Sequence, residues 1–172
     1  SFGEDIQFRL DANGAFDLPK AIRFCKEMEK FNIDYIEQPL PADNLEDLAE
    51  LTYHTEIPIA VDESLTDFQS AEKIIEEQAA HVFVIKPMVS GGFTECKKII
   101  NLARTENIRV VITSSLETSI GRTACLHLAL ANEITEVCGL ATGEVLNEGK
   151  PTQPIQGGKI AISDSPGLGV DL

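Results

Sequence analysis

The sequence predicts an α/β fold in which parallel strands and helices alternate around a (β/α) barrel. Apolar runs of about six residues alternate with amphipathic stretches of about ten to fifteen, which is the pattern of βαβ units. A charged residue also recurs at or near the end of successive apolar runs, at intervals of 24 to 26 residues, as Asp11, Glu37, Asp62 and Lys86. In a barrel, the carboxyl ends of the strands converge on one mouth, so these side chains are expected to meet there.

Each predicted strand is a short apolar run, and each predicted helix carries apolar residues at helical spacing. The predicted strands span 6–13, 35–39, 57–63, 81–87, 109–115 and 137–142, and the predicted helices span 16–31, 44–55, 67–78, 93–107 and 119–133. The competing fold is a doubly wound open sheet. That fold would spread the strand ends along an edge, and no G-x-G-x-x-G follows any of these strands. The barrel is therefore the better prediction.

The number of strands bounds the domain organisation. Six strand candidates precede residue 143, whereas a complete barrel has eight strands and roughly 250 residues. We therefore expect residues 1–142 to be the C-terminal part of a barrel, about strands 3 to 8, with the first strands upstream. Residues 143–172 carry Gly-rich and Pro-containing turns around one short alternating strand at 159–163, and are predicted to be an extension packed against the upstream part.

The composition bounds the partners and the compartment. With 28 acidic and 14 basic residues, the net charge of −14 argues against nucleic acid or an anionic membrane as partner. No apolar run approaches the ~20 residues of a membrane span, and the first residues lack the pattern of a signal peptide. The four cysteines have no metal-ligand spacing and fit a reducing compartment, so the cytoplasm is expected. Nothing in the composition favours a particular oligomeric state.

The three recurring carboxylates indicate a metal site. Asp11, Glu37 and Asp62 cannot all be ionised at one mouth without strong repulsion, which a divalent cation would relieve. Ligation by oxygen alone selects a hard ion, Mg²⁺ in the first place and Mn²⁺ in the second. The alternative is that these are unrelated strand-terminal charges facing solvent, but their regular spacing favours the metal. Glu63 should face the other side of the strand from Asp62 and support the site without binding the ion.

Lys86 is the fourth member of the series. It follows the apolar run Val82–Ile85 and precedes Pro87, so it should end a buried strand. Across a mouth from a metal, it would be either a cation placed against developing negative charge or an acid/base with a lowered pKa. A surface lysine is the alternative.

Five motifs, in order and at matching spacing, resemble those of the enolase superfamily. They are LDAN at 10–13, YIEQPLP at 35–41, AVDESL at 60–65, VIKPMVSGG at 84–92 and ITSSLETSIGR at 112–122. The resemblance covers nearly the whole chain. It is to the muconate-cycloisomerase-like branch, and within that branch the sequence is most similar to the o-succinylbenzoate synthase family.

The resemblance implies an enolase-type barrel whose N-terminal capping domain and first strands lie upstream. It implies that Asp11, Glu37 and Asp62 bind Mg²⁺, and that Lys86 faces the substrate from the side opposite a second-strand lysine, the general base, which also lies upstream. The implied reaction removes the proton α to a carboxylate and then eliminates water, as in a carbon–oxygen lyase of menaquinone biosynthesis. This chain alone is therefore expected to show no turnover.

The resemblance also implies loops that contact a small carboxylate substrate. The residues concerned are Asn13, Gly91, Gly92, Ser114, Ser115 and Glu117. Hydroxyls and turn amides there would suit a succinyl carboxylate. For Ser114 and Ser115, the alternative is that they merely cap the following helix.

Other branches of the superfamily carry features that this sequence lacks. Mandelate-racemase-like enzymes need a histidine at the end of the seventh strand, where this chain has VVITSSLE, and dipeptide epimerases carry Asp-x-Asp at the eighth, where it has CGLATG. The synthase is thus the first expectation, with N-acylamino acid racemase or muconate cycloisomerase as the alternative. A hypothesis of a different class is a catalytically inactive barrel remnant that only binds metal.

Overall fold

A computed structural model of the protein describes residues 6–142 and 154–169. Strands and helices alternate along the first of these ranges. The strands are Phe8–Asp11 (β1), Ile33–Glu37 (β2), Ile59–Val61 (β3), Val82–Ile85 (β4) and Arg109–Ile112 (β5). The helices are Leu18–Met28 (α1), Leu45–His54 (α2), Phe68–Glu76 (α3), Gly92–Thr105 (α4) and Ser119–Ala131 (α5). Each of these elements lies within, or within two residues of, its predicted range.

The five strands form one parallel sheet in the order β1-β2-β3-β4-β5. Each strand pairs with the next one along the chain, and the intervening helix makes the crossover. A sheet of consecutive parallel strands with its helices on one side is part of a (β/α) barrel. The predicted partial barrel is therefore confirmed.

The sixth predicted strand, 137–142, forms only a single bridge in the described residues, between Gly139 and Thr113. The two segments approach each other very closely at this bridge. A Cβ atom built on Gly139 would lie 2.4 Å from the Thr113 hydroxyl oxygen, and that hydroxyl donates to the Gly139 carbonyl at 2.8 Å. The backbone pairing at this bridge consists of two hydrogen bonds, from the Gly139 amide to the Ile112 carbonyl at 2.9 Å and from the Ser114 amide to the Gly139 carbonyl at 3.1 Å.

Alternation along the strands separates two cores. In β4, Phe83 and Ile85 point outward into the main core beneath the helices, whereas Val82 and Val84 point into the barrel. The interior cluster consists of Tyr35, Ala60, Val82, Val84 and Val111. Lys86 continues the inward series of β4, which places its side chain above this cluster, at the mouth of the barrel.

Side-chain caps fix three of the helix starts, which lie on the same side as the mouth. Asp17, Asn44 and Asp67 each accept a hydrogen bond from a backbone amide in the first turn of α1, α2 and α3, respectively. In α3, the Ser70 hydroxyl also accepts from the Asp67 amide, which completes a reciprocal capping box. These caps hold the loops that follow the strands.

The predicted strand at 159–163 is wrong. In residues 154–169 the structure has one antiparallel bridge, between Gln156 and Lys159. Alternation would place Ile160 and Ile162 on the same face, but Ile160 packs against the main core while Ile162 is 44% exposed, and no strand among the described residues pairs with the segment. The rest of the predicted extension, 143–153 and 170–172, lies outside the described residues, as do residues 1–5.

Two further sequence expectations concern thiols and membranes. All four cysteines are free, and Cys25, Cys96 and Cys125 are buried. Burial raises the pKa of each of these three thiols, so they pack as small apolar groups. Among the described residues, the helices are too short or too polar to cross a bilayer.

Candidate active site

The structure brings the four recurring charged residues together. Asp11 and Glu37 are the last residues of β1 and β2 and are paired in register. Asp62 and Lys86 come directly after β3 and β4. All four side chains line one cavity of about 390 Å³ at the mouth of the barrel. Asp11, Glu37 and Asp62 are called the carboxylate triad below.

The triad is electrostatically unsatisfied. Burial raises the pKa of Glu37 to about 7, and the neighbouring charges of Asp11 and Asp62 add to the rise. The positive charge of Lys86 lowers the pKa of Glu37, but it does not cancel these effects. A carboxylate held in this way takes up either a proton or a second cation.

Lys86 is the cation closest to the triad. Its ammonium donates to Oδ2 of Asp62, which is only 7% exposed. Burial alone would lower the pKa of Lys86, but the hydrogen bond to Asp62 and the charges of Asp62, Glu63 and Glu37 raise it above its ordinary value. In this arrangement Lys86 is a cation held against the triad, and its role in a reaction is still a prediction.

The chemistry of the triad fits a hard divalent ion. In the described residues, no group of three or more His, Cys, Asp or Glu side chains is already spaced to hold a metal ion. The ammonium of Lys86 occupies one oxygen of Asp62 in this arrangement. However, the three carboxylates supply only oxygen donors. Burial, together with the like charges of Asp11 and Asp62, raises the pKa of Glu37, and a bound cation would oppose both effects. Asp11, Glu37 and Asp62 are the residues that would hold Mg²⁺ or Mn²⁺.

Two of the predicted substrate contacts lie at the cavity. Asn13 has a positive φ of 45°, and its amide donates to Oδ1 of Asp11 at 3.0 Å, which orients that carboxylate. Ser114 is 3% exposed, and its hydroxyl oxygen lies 2.6 Å from that of Thr142. Both residues line the cavity, and their contact with substrate is still a prediction.

Three predicted residues on the loops after β3 and β4 lie outside the lining of the cavity. The amide of Gly92 already donates to the Pro87 carbonyl, and Gly91 is the residue before α4, with a φ of 82°. Glu63 is exposed, and its charge still contributes to raising the pKa of Lys86.

Ser115 and Glu117 also lie outside this lining, because the loop after β5 folds back on itself. Glu117 is 3% exposed and accepts from the Ser115 amide at 3.2 Å and from the Cys125 thiol at 3.3 Å. A Cβ on Gly121 would lie 3.0 Å from the Glu117 side chain, so a larger residue there would have to displace Glu117 slightly. The helix-cap alternative for the serines is wrong, because the N-cap residue of α5 is Thr118.

Sequence reasoning missed the hydroxyls that join the ends of β5 and the sixth segment. Thr142 donates to the Ser115 carbonyl at 2.9 Å, and both Thr113 and Thr142 line the cavity beside Ser114. A threonine near a strand end is too common to stand out in a sequence. Of these hydroxyl residues, only the adjacent Ser114 and Ser115 stood out in the sequence.

Sequence reasoning also missed an ion network at the opposite, N-terminal end of the strands. Arg9 and Arg109 both donate to Asp34, at 2.8 and 2.7 Å, and both donate to Glu136, at 3.2 and 2.8 Å. Arg9 also lies over the ring of Tyr35, 4.8 Å from its centroid. These four charged residues are called the base network below.

Comparison with known proteins identifies the family. The whole chain, residues 1–172, matches the family described as Enolase C-terminal domain-like, and the chain therefore belongs to this family. The predicted resemblance to the enolase superfamily is confirmed.

Relatives with several different activities are similar to this chain. The o-succinylbenzoate synthase of Thermobifida fusca is 34% identical over 161 residues, which is 91% of this chain and 49% of the synthase. An L-amino acid-D/L-Glu epimerase of Francisella philomiragia is 36% identical over 136 residues, 78% of this chain and 38% of the epimerase. The crystal structure of muconate cycloisomerase from Pseudomonas fluorescens superimposes with a TM-score of 0.92 at 29% identity, covering 99% of this chain and 48% of that one.

The chain thus spans less than half the length of these relatives. The named relatives are enzymes, and they include a lyase as well as an epimerase and a cycloisomerase. Membership of the family fixes the fold and the superfamily, and it leaves the particular reaction to be argued from the site.

Proposed function

We propose that the intact gene product abstracts the proton α to a substrate carboxylate and then eliminates water, as o-succinylbenzoate synthases do. The observation that supports this proposal is the convergence of the carboxylate triad and Lys86 on one cavity at the strand ends. Proton abstraction next to a carboxylate creates a second negative charge on an already anionic group. The reaction therefore needs concentrated positive charge at a fixed place.

Each member of the site has a role in this proposal. The triad holds Mg²⁺, which when bound supplies Lewis-acid stabilisation to the substrate carboxylate. Lys86, which lines the same cavity, places a fixed positive charge beside the carbon that loses its proton. The group that accepts the proton would be the upstream lysine that the family resemblance implies. Loss of hydroxide from the neighbouring carbon completes the elimination.

The wall of the cavity on the β5 side supports a substrate without a free amine. This wall carries the hydroxyls of Thr113, Ser114 and Thr142. Residues 137–142 contain no Asp or Glu, so this wall offers no charge to pair with a substrate ammonium. A succinyl group or an N-acylated amine fits such a wall better than a dipeptide with a free amino terminus.

The same observation supports a second candidate, an N-acylamino acid racemase, because its substrate also lacks a free amine. Both reactions begin with the same proton abstraction. They differ in whether hydroxide then leaves or the proton returns to the opposite face of the carbon. Muconate cycloisomerase chemistry would use the same cavity.

One assay series separates these candidates. The intact protein would be incubated in D₂O with Mg²⁺, either with the cyclohexadiene carboxylate precursor of o-succinylbenzoate or with an N-succinylamino acid. We expect Mg²⁺-dependent dehydration of the first substrate, and loss of activity with EDTA. Deuterium incorporation into the second substrate without any dehydration of the first would instead support the racemase. Metal binding with neither reaction would support the inactive barrel.

A further inference from the structure

The side chain of Gln38 lies directly behind the carboxylate triad with all of its hydrogen-bonding capacity in use. It follows Glu37 and is 1% exposed. Its Oε1 accepts from the amides of Asp62 and Ser64, at 3.1 and 3.2 Å. Its Nε2 donates to the Leu40 carbonyl and to the Ser64 hydroxyl, both at 2.9 Å.

These partners fix the orientation of the amide. An oxygen is required opposite two N–H groups, and an N–H is required opposite the Leu40 carbonyl. The Ser64 hydroxyl in turn donates to the Ala42 carbonyl at 2.9 Å, so it must accept from Gln38. Within this network, glutamate, leucine or methionine cannot make the same set of four bonds.

Gln38 links the segments that follow all three members of the triad. Its carbonyl accepts from Gly14, in the loop after β1, at 2.7 Å, and its amide donates to Ala60 of β3 at 2.8 Å. The side chain then reaches the Asp62 amide itself. One residue is therefore bonded to the loops after the first, second and third strands.

Gln38 holds this position in an unfavourable backbone conformation. Its φ is 36°, in the left-handed region that residues with a side chain rarely adopt. Gln78 also has a positive φ, of 54°, but it is exposed and follows the end of α3, where helices commonly end in this way. Gln38 is buried at a strand end, and strain maintained at such a place is typical of functional sites.

We propose that Gln38 is a positioning residue that holds the Asp62 carboxylate, relative to Glu37, in the place where the divalent ion binds. This proposal rests on the metal site of the proposed function. Groups that orient metal ligands by hydrogen bonds tune affinity without touching the ion, and losing one typically weakens metal binding by about 10–100-fold.

The experiment measures binding of Mn²⁺ to the intact protein, from the EPR signal of the free ion, in the wild type and in Gln38→Met. Methionine keeps the length and flexibility of the side chain but leaves the Asp62 and Ser64 amides without their acceptor. We expect Mn²⁺ to bind about 10–100-fold more weakly, and the Mn²⁺ concentration for half-maximal activity to rise in parallel.

A matched control removes a buried amide far from the mouth. Asn132 is 7% exposed, follows the C-terminal end of α5 and donates to the Leu128 carbonyl at 2.8 Å. Asn132→Ala should lower the thermal midpoint of the metal-free protein without changing Mn²⁺ affinity. If both variants weakened Mn²⁺ binding in proportion to their loss of stability, Gln38 would have only a structural role and the proposal would fail.

A second variant covers the case in which Gln38→Met does not fold. Ser64→Ala removes the hydroxyl that accepts from Gln38 but keeps both amides that Gln38 accepts from, so it should fold and bind Mn²⁺ severalfold more weakly. Wild-type affinity in every folded variant would overturn the role of Gln38 and leave the metal site intact. Absence of Mn²⁺ binding in the wild type would overturn the proposed metal site and this inference with it.

Discussion

The mouth and the base of the barrel interior both hold clustered carboxylates, but the two clusters are balanced in opposite ways. At the mouth, Lys86 is the cation that is hydrogen-bonded to the triad, through Asp62. Arg9 also lines the cavity, but its guanidinium is paired with Asp34 and Glu136. At the base, Asp34 and Glu136 are matched by two guanidiniums, and each carboxylate accepts hydrogen bonds from both. The base is neutral in sum, whereas the mouth carries excess negative charge.

The pKa values follow this difference in balance. Burial alone would raise the pKa of Asp34, but the hydrogen bonds from Arg109 and Arg9 outweigh it and hold the pKa below its ordinary value. At the mouth, burial raises the pKa of Glu37 to about 7, and the like charges of Asp11 and Asp62 reinforce it. The base network thus stabilises the fold, whereas the triad is kept at some cost to stability, as expected where a cation is to bind.

The largest effect is expected from Glu37→Gln, which removes one charge from the mouth. Turnover should become undetectable and Mn²⁺ affinity should fall at least about a hundredfold, the upper range for disturbing the groups around a metal. The metal-free protein should at the same time become more stable by a few degrees in Tm, where about 2–4 °C corresponds to 1 kcal/mol. Calorimetry with and without Mn²⁺ measures the affinity and the Tm, and an activity assay measures turnover. Near-normal turnover would contradict the assignment of Glu37 as a metal ligand.

The next largest effect is expected from Lys86→Arg. The charge is kept, but a planar guanidinium cannot replace a compact ammonium beside Asp62. We expect kcat to fall by at least roughly a hundredfold, in the range for losing a positioned charge or acid/base. Steady-state kinetics at saturating Mg²⁺ test this expectation. An unchanged kcat would show that Lys86 lies outside the chemistry.

A moderate effect is expected at the base, from Asp34→Asn. Arg9 and Arg109 would each lose a charged partner, although both keep Glu136. We expect a loss of about 2 kcal/mol in the free energy of unfolding, less than the roughly 3–5 kcal/mol of a fully buried pair because the arginines are partly exposed. Mn²⁺ affinity should change little, because Asp34 does not line the cavity that holds the triad. Urea unfolding measures the first quantity, and a large drop in Mn²⁺ affinity would show that the two ends are coupled.

The smallest effect is a difference in the pH dependence of stability between the wild type and Asp34→Asn. The pKa values of Asp34 and Glu136 are lower in the folded state, so their stabilisation is present above their unfolded pKa values, near 4, and is lost as pH falls through the folded values. The wild type should therefore lose stability below about pH 4 more steeply than Asp34→Asn does. Parallel curves of Tm against pH for the two proteins would contradict this account of the base network.

The mouth could be predicted from the sequence because its members repeat along the chain. Asp11, Glu37, Asp62 and Lys86 each end a short apolar run, and a parallel barrel brings such ends together whatever its detailed curvature. The base network gave no such signal. Arg109 and Asp34 are 75 residues apart, and Arg9 and Glu136 are 127 apart, so their contact depends on how far the sheet curls.

Two segments that the sequence assigns to strands form only isolated bridges among the described residues. The segments 137–142 and 159–163 both have apolar residues that a sequence pattern assigns to strands. A strand also needs a partner with free backbone groups. Gly139 pairs with the end of β5 through one bridge, and near Ile160 no second strand pairs among the described residues. Hydrophobic pattern alone does not reveal how far a partner strand extends.

The mouth of the barrel is short of positive charge, and a divalent ion bound to the carboxylate triad is expected to supply it. The most direct test is a crystal structure of the intact protein with Mn²⁺, using the anomalous signal of the metal. The account predicts one ion bonded to oxygens of Asp11, Glu37 and Asp62 at about 2.0–2.2 Å, close to the distances of Mg²⁺, with Lys86 no longer bonded to the ligating oxygen of Asp62. An ion bound elsewhere, with Lys86 still paired to Asp62 and the mouth free of metal, would contradict it.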